Sequence, residues 1–396
     1  MSSAIDPVVI VSAARTPMGA FQGAFKDVSA TDLGAVAIRG ALRRAGLAPE
    51  SVSEVLMGCV LTSGLGQAPA RQAALKAGLP NGTPCTTVGK VCGSGMKALM
   101  LGVDAIAAGS AEIVVVGGME NMSAAPYLMS KGRGGYRMGH AQIYDSMMLD
   151  GLEDAYEAGR SMGTFGELCA DRYQFGRDAQ DAFASASVQR AQAAIRDGAF
   201  VDEIEPVTVR DRSGEIVVSV DEGPGKIKLD KIPGLKPAFK KDGTITAASS
   251  SSINDGAAAL VLMRQSRAAS LGIKPLARVL GHSSHAQEPA WFTTAPVGAM
   301  QKLFGRIGWQ AGDVDLYEIN EAFAVVPMAA MHELGIAHDK VNVHGGACAL
   351  GHPIGASGAR VIVTLLHALR RHRLQRGVAT LCIGGGEGTA VAVEML

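Results

Sequence analysis

The sequence predicts an α/β core made of two similar halves, and three features point there. Short apolar runs of strand type alternate with stretches of helical periodicity, the pattern of an α/β fold. Glycines mark the junctions: 50 of the 396 residues are glycine, well above the usual share of about 7%. Finally, Cys92-Gly-Ser-Gly, a helix, an apolar run at 113–116 and Gly117-Gly118 have a faint echo late in the chain. There Ala356-Ser-Gly, a helix and a run at 379–383 lead to Gly384-Gly385-Gly386. The echo implies two halves facing one another with a site between them.

The elements follow in order. Residues 8–11 form a short buried-type strand. Thr31 is placed to cap a helix over 32–45, which Gly46 ends. A strand at 55–57 and a helix at 70–77 come next. After Cys92, the residues Met96, Leu99, Met100, Val103, Ile106 and Ala107 keep a helical rhythm. The run at 113–116 is a buried strand. From Asn121 to about residue 247 charge, Met and Gly become more frequent. That stretch holds a long helix over 178–197 and a hairpin whose strands, 207–210 and 216–220, flank Asp211-Arg212-Ser213-Gly214. It reads as an insertion over the core. The rhythm resumes with strands at 257–263 and 316–319, helices at 325–334 and 359–371, and a strand at 379–383.

Composition narrows the function. The length allows two or three domains at roughly 100–200 residues each. Basic and acidic residues balance at 37 each, which argues against a general nucleic-acid or membrane surface. Aromatics are 5% of the chain, too few for base stacking to be its main business. No apolar run reaches the ~18–20 residues of a membrane span. The first positive side chain is Arg15, so the start reads as a strand and not a targeting peptide. Six irregularly spaced cysteines fit reduced thiols better than a disulfide framework. A cytoplasmic protein is the expectation.

Several residues stand where chemistry is possible. Cys92 sits before a helix, with Gly93 and Gly95 leaving its thiol uncrowded, and a helix N-terminus should lower its pKa below the free value of ~8.5. The alternative is a small buried hydrophobe. His352, between Gly351 and Pro353, is fit to take a thiol proton or to donate to an oxyanion, if it is not simply a turn histidine. Cys382 ends a strand before three glycines whose N–H groups can make an anion pocket; a core cysteine is the plainer reading. Asn320 follows a strand and is fit to hold a water or a carbonyl oxygen, or to cap a helix. His344, Cys348 and His352 recur every fourth residue, as metal ligands on a helix would. The glycines and Pro353 among them oppose such a helix, so no metal site is expected. Gly384–Gly388 follows a strand but opens no helix, which speaks against a dinucleotide loop. Lys226, Lys228, Lys231, Lys236, Lys240 and Lys241 form a basic stretch that meets phosphates or solvent. Serines 249–252 bond a ligand amide or form a turn.

Taken together, these motifs resemble the thiolase family along essentially the whole chain. They are Arg15-Thr16-Pro17, residues 91–98, residues 320–324, residues 345–360 and residues 382–386. The resemblance implies the thiolase fold: two βαβαβαββ halves in a layered αβαβα core, with an inserted loop domain. On this reading residues 1–120 and 248–272 form the first half, 121–247 the loop domain, and 273–396 the second half. It implies that Cys92 is a nucleophile carrying the acyl group and that His352 activates it and donates to an oxyanion hole. Asn320 would hold a water of that hole, and Cys382 would be the acid/base. The N–H groups of Cys92 and Gly384 would make a second hole. Leu152, Met162, Phe239, Ala247, Ser251, Phe292, Ala322 and Phe323 fall at substrate-binding positions. Met162 belongs to the short-chain type of pocket. Departures lie around the ligand: Ser161 where histidine is usual, His344 where asparagine is frequent, Glu387 where an apolar or amide residue is frequent, and TAASSSS at 246–252. The implied activity is acetyl-CoA C-acetyltransferase, condensing two acetyl-CoA to acetoacetyl-CoA and coenzyme A, or the reverse. No cofactor is needed, since coenzyme A thioesters are substrates. A homotetramer is expected, with a dimer as the other option. A broader-chain 3-ketoacyl-CoA thiolase of β-oxidation and a non-catalytic lipid-binding relative are the rival readings.

Overall fold

The computed structural model describes residues 6–211 and 214–396. Among the described residues ten strands form the main sheet; Gly19–Ala20 pairs only with Asn254 and Asp255, and nine strands make the continuous path. They are β1 (Val8–Arg15), β2 (Glu54–Gly58), β3 (Cys85–Val88), β4 (Ile113–Asn121), β5 (Asn254–Arg264), β6 (Ala277–Ala286), β7 (Leu316–Ile319), β8 (Arg376–Ile383) and β9 (Glu387–Met395). Their order is β7-β8-β9-β6-β1-β5-β4-β2-β3. In the first half β1, β5 and β4 run antiparallel, while β4, β2 and β3 are parallel. The second half repeats this with β6, β9 and β8 antiparallel and β8 parallel to β7. Where β3 would recur, Val341 makes a single parallel bridge to Tyr317. The halves join where β1 meets β6, at Val9–Arg278 and Ile10–Ala277. The faint echo in the sequence is therefore a real repeat of topology.

The principal helices are α1 (Ala30–Ala45), α2 (Pro69–Lys76), α3 (Ser94–Ala108), α4 (Met162–Tyr173), α5 (Arg177–Arg196), α6 (Ala295–Ile307), α7 (Val325–Leu334) and α8 (Ile354–His372). Side chains alternate across a strand, and the alternation defines the layers. On β4, Val114 and Val116 pack with α3 and α8, whereas Ile113 and Val115 pack with α1. On β9, Val391 and Val393 face the same central helices, and Ala390 and Ala392 face α6 and α7. Five layers result, αβαβα. Against the expectation that no apolar run reaches the length of a membrane span, Val91–Ala108 is long and apolar enough by length and composition; it contains α3 and sits in the middle layer. Small residues let α3 and α8 cross closely. A Cβ on Gly95 would lie 2.7 Å from the Ala359 nitrogen, and one on Gly358 would lie 2.4 Å from the Met96 nitrogen.

Between Asn121 and Asn254 no described strand joins the main sheet, though Ile204 makes a single parallel bridge to Arg15. Arg15 ties this segment to β1. Its backbone N–H donates to the Glu203 carbonyl at 2.8 Å, and its buried guanidinium bonds Glu203 at 2.5 Å and Asp221 at 2.7 and 2.9 Å. The hairpin Val207–Asp211 with Gly214–Val218 is present; the turn residues Arg212 and Ser213 lie outside the described residues.

The N-cap of α1 needs correction. Ser29 and not Thr31 is the cap, accepting from the Asp32 N–H at 3.1 Å. Thr31 lies within the first turn, where its hydroxyl accepts from Lys76 at 2.9 Å. Gly46 ends the helix at φ 64°, as its position predicted. Strands β3, β6 and β9 and helices α4 and α6 were not legible from periodicity.

Candidate active site

The nucleophile segment is a tight turn between β3 and α3. Val91 holds φ +44°, a conformation strained for a β-branched residue. Hydrogen bonds fix it: Gly93 N–H donates to the Lys90 carbonyl at 3.0 Å, Lys90 N–H to Ser94 Oγ at 2.8 Å, and Ser94 Oγ to the Val91 carbonyl at 2.7 Å. The turn presents Cys92 to a cavity. Gly93 leaves room for this, because a Cβ there would lie 2.4 Å from Ile383, the residue after Cys382.

The cavity has two connected parts. In the inner part Cys92, Gly384 and His352 meet Leu152, Met162, Ser251, Phe292, Ala322 and Phe323. The outer part, about 270 Å³, keeps Leu152, Met162, Ser251, Ala322, Phe323 and His352 and adds Phe239 and Ser161. Aromatic edges wall it, with Phe323 at 5.7 Å from Phe239 and 6.4 Å from Phe292, centroid to centroid. Ala247 stands elsewhere, in a second cavity of about 340 Å³ with Lys226, Lys228 and Lys231. Ser249 makes the turn, its Oγ accepting from Thr246 N–H at 2.8 Å, and Ser250, Ser251 and Ser252 line the outer cavity.

The thiol of Cys92 overturns one expectation. The helix N-terminus does not leave it below the free value; burial pushes it up to about 11. The N–H groups of Gly384 and Cys92 itself point at the sulfur and oppose the rise, and the nearby Glu120 charge adds to it. Desolvation of a thiolate outweighs two hydrogen bonds and the end of a helix. Cys92 is half-buried and His352 is more deeply buried, which drives the imidazole down to about 3, with Arg360 adding to the fall. Its Nδ1 lies 2.5 Å from Ser357 Oγ, which itself donates to the Pro353 carbonyl at 2.9 Å. That network is satisfied when Nδ1 carries the proton. The other ring nitrogen, Nε2, is buried, has no partner, and is left as an acceptor.

Cys382 and Asn320 line neither part of the cavity. Cys382 is fully buried; burial first, then the neighbouring Cys92, holds its thiol well above the usual range. Asn320 N–H donates to the Thr380 carbonyl at 3.0 Å, two residues from Cys382. Its Oδ1 and Nδ2 are both buried without a partner. It caps no helix, since α7 starts at Val325 with Ala324 as N-cap. A doubly unpaired buried amide is costly unless a water or ligand completes it.

The ladder His344, Cys348 and His352 does not converge. His344 Nε2 lies 3.2 Å from His372, Cys348 lies 3.9 Å from the Glu321 carbonyl, and His352 meets Ser357. Among the described residues no three such groups cluster to hold a metal. Sequence reading also missed Glu120, which underlies the site. It accepts from the N–H groups of Val60 at 3.0 Å, Leu61 at 3.1 Å and Gly355 at 2.8 Å, and burial lifts it to about 7. The available signal was its place at the end of β4, beyond Gly117-Gly118, where ligands gather in open α/β sheets.

The arrangement suits acyl transfer: a thiol, an imidazole with a free acceptor, a second thiol, and N–H donors aimed at sulfur. Comparison with known proteins agrees. Residues 8–266 match the family model for the thiolase N-terminal domain, and residues 273–395 match that for the thiolase C-terminal domain. An acetyl-CoA acetyltransferase of Cupriavidus necator is 51% identical over 389 residues, covering 98% of this chain and 99% of that protein. The crystal structure of an acetyl-CoA acetyltransferase from Bacillus anthracis superposes with a TM-score of 0.97 at 41% identity, covering 100% of both chains. A thiolase from Ascaris suum, solved in complex with coenzyme A, superposes with a TM-score of 0.93 at 42% identity, covering 98% of this chain and 100% of that one. With two family domains spanning nearly its whole length, and full-length relatives at this identity, the chain belongs to the thiolase family.

Proposed function

We infer that the chain is an acetyl-CoA C-acetyltransferase, joining two acetyl-CoA into acetoacetyl-CoA and coenzyme A and catalysing the reverse thiolysis. The observation that carries this is the meeting of Cys92, His352 and Gly384 in one cavity, with the buried Cys382 close enough to feel the Cys92 charge. Cys92 sulfur attacks the acetyl carbonyl while His352 Nε2 takes the thiol proton. The C–S bond to coenzyme A breaks as Cys382 gives its proton to the departing sulfur, leaving a Cys382 thiolate and a protonated His352. The Cys382 thiolate then removes the α-proton of a second acetyl-CoA, and the carbanion attacks the acetyl-cysteine. A C–C bond forms, the Cys92 thioester breaks, and the proton held on His352 returns to the freed Cys92 sulfur, which restores both thiols and the neutral imidazole. A positioned base contributes ~10²–10⁴ in rate and an oxyanion donor ~10²–10³, so the carbanion step needs both. His352 and the water on Asn320 make one hole; the N–H groups of Cys92 and Gly384 make the other.

Coenzyme A enters as a substrate. Its pantetheine arm runs past Ser251, Phe239 and Phe323, and the lysines around Ala247 face its phosphates. Six free cysteines fit a reducing compartment such as the cytoplasm. Exposed Tyr127, Met129, Met138 and Ile143 favour a homo-oligomer, with a tetramer as our proposal. The test is to incubate the protein with acetyl-CoA, denature it and map the adduct by peptide mass spectrometry. An acetyl group on Cys92 supports the reading, and its absence with every acyl-CoA tried removes it. Comparing thiolysis of acetoacetyl-CoA with that of a longer 3-ketoacyl-CoA measures chain preference.

A further inference from the structure

Two loops of the site are tied by side chains outside it. Lys90 precedes Cys92 by two residues, and Glu387 follows Gly384 by three. The Lys90 ammonium and the Glu387 carboxylate form a hydrogen-bonded ion pair. Their side chains are 21% and 35% exposed, so the pair is screened less than a surface pair of little worth. Both ends are anchored. Lys90 belongs to the nucleophile turn through its N–H to Ser94 Oγ and its carbonyl from Gly93 N–H. Glu387 opens β9, in register with Ile383 of β8 on one side and Ala286 of β6 on the other.

Between Ile383 and Glu387 the chain is three glycines, two of them at φ +90° and +88°. Such a loop has no side chain to hold it, and glycine has the widest backbone freedom. Yet Gly384 N–H must face the Cys92 sulfur. The ion pair runs from the nucleophile turn to the far end of the glycine loop. With the N–H···S contact it closes a ring.

We propose that Lys90 and Glu387 are positioning residues whose ion pair clamps the glycine loop to the nucleophile turn, keeping the Gly384 and Cys92 N–H groups aimed at the thioester oxygen. Lys90 acts through geometry, because the groups that govern the Cys92 proton are the protein burying it, the two N–H donors and Glu120. The clamp rests on the acetyltransferase reading. A donor displaced by about 1 Å can cost ~10² in rate, and a loosened clamp displaces it only part of the time.

The test is single-turnover acetylation of Cys92 by acetyl-CoA, quenched and read by peptide mass, with thermal melts alongside. In Glu387→Gln and in Lys90→Gln the saturated rate should fall about ten- to hundredfold, with half-saturation moving less than about twofold. The reversed pair, Lys90→Glu with Glu387→Lys, should recover to within about fivefold of wild type, since it restores the link with opposite sign. A merely structural pair would lower the melting temperature and leave the saturated rate alone. Wild-type rates in folded single variants, or a reversal no faster than the singles, overturn the clamp. If the single variants do not fold, the reversed pair decides by the same threshold. A wild-type protein that takes no acetyl group overturns the acetyltransferase reading and the clamp with it.

Discussion

Cys92 and His352 should rest as a neutral thiol and a neutral imidazole, not as an ion pair. Burial holds the thiol near 11 and the imidazole near 3. Taken separately, the two shifts put the transfer uphill by about eight pH units, on the order of 10 kcal/mol at ~1.36 kcal/mol per unit, before the attraction between the two charges offsets part of it. Burial thus favours the neutral form of each group at rest. The transfer must accompany sulfur attack, when the developing oxyanion and its donors offset the charge. The perturbation is alkylation by iodoacetamide across pH, read on the Cys92 peptide in wild type and His352→Ala. A free thiol of pKa ~8.5 stops gaining reactivity a little above that pH. Cys92 should instead gain about tenfold per pH unit through pH 7–10 without a plateau, and His352→Ala should leave that profile in place. Acetyl transfer behaves oppositely: His352→Ala should lower it by ~10²–10⁴, because the base is needed during attack. A reactivity plateau between pH 5 and 8 that vanishes in His352→Ala would refute this reasoning and establish a preformed ion pair.

Other outcomes follow from the same contacts. Cys382→Ala should still accept acetyl from acetyl-CoA but lose condensation by ~10²–10⁴, measured as acetoacetyl-CoA formed per acetylated enzyme; undiminished condensation removes its role as base. Glu120→Ala leaves the N–H groups of Val60, Leu61 and Gly355 without their acceptor. At ~1–3 kcal/mol for each unpaired buried group, urea unfolding should show a loss of several kcal/mol unless water enters. Glu318, buried and lifted from 4.5 to about 8 despite Arg360, binds its proton more tightly folded than unfolded. Its contribution to stability is present below about pH 4.5 and is lost as the pH rises through about 8. Relative to Glu318→Gln, wild type should thus lose up to ~1.4 kcal/mol per pH unit between those limits; parallel stability curves would contradict it. Gly358→Ala would put a methyl group 2.4 Å from the Met96 nitrogen. Its unfolding midpoint should drop by the equivalent of ~1–3 kcal/mol or more, since backbone cannot rotate away.

Much of the architecture was legible because it is written locally. The apolar run at 113–116 lies in β4, and the helical rhythm after Cys92 became α3. Gly46 ended its helix, and the two Gly-rich strand ends revealed the repeat. Strand β9 hid because Glu387-Gly-Thr-Ala opens it without a strand-like pattern, and β6 because His282, Ser283, Ser284 and His285 interrupt its apolar character. Both are strands by virtue of their neighbours in the sheet. The candidate site divides the same way. Cys92, His352 and Cys382 announce themselves by glycines beside them, a property of the chain alone. Glu120, Ser357 behind His352, and the Lys90–Glu387 pair do not, since their roles depend on partners far away in sequence. Thr31 was the expected cap, but the helix starts at Ala30, which makes Ser29 the N-cap.

What the sequence by itself determined is much of the order of elements, the two-half plan and the candidates for the reacting groups, because periodicity, turn chemistry and motif spacing are short-range. Only the tertiary structure decided the charge state of those groups. A helix N-terminus acts over one turn and argued for a thiolate; the protein packed around Cys92 argued for a thiol and prevailed. Desolvation is the sum over everything that excludes water from an atom, and that sum exists only once the two halves have closed on each other.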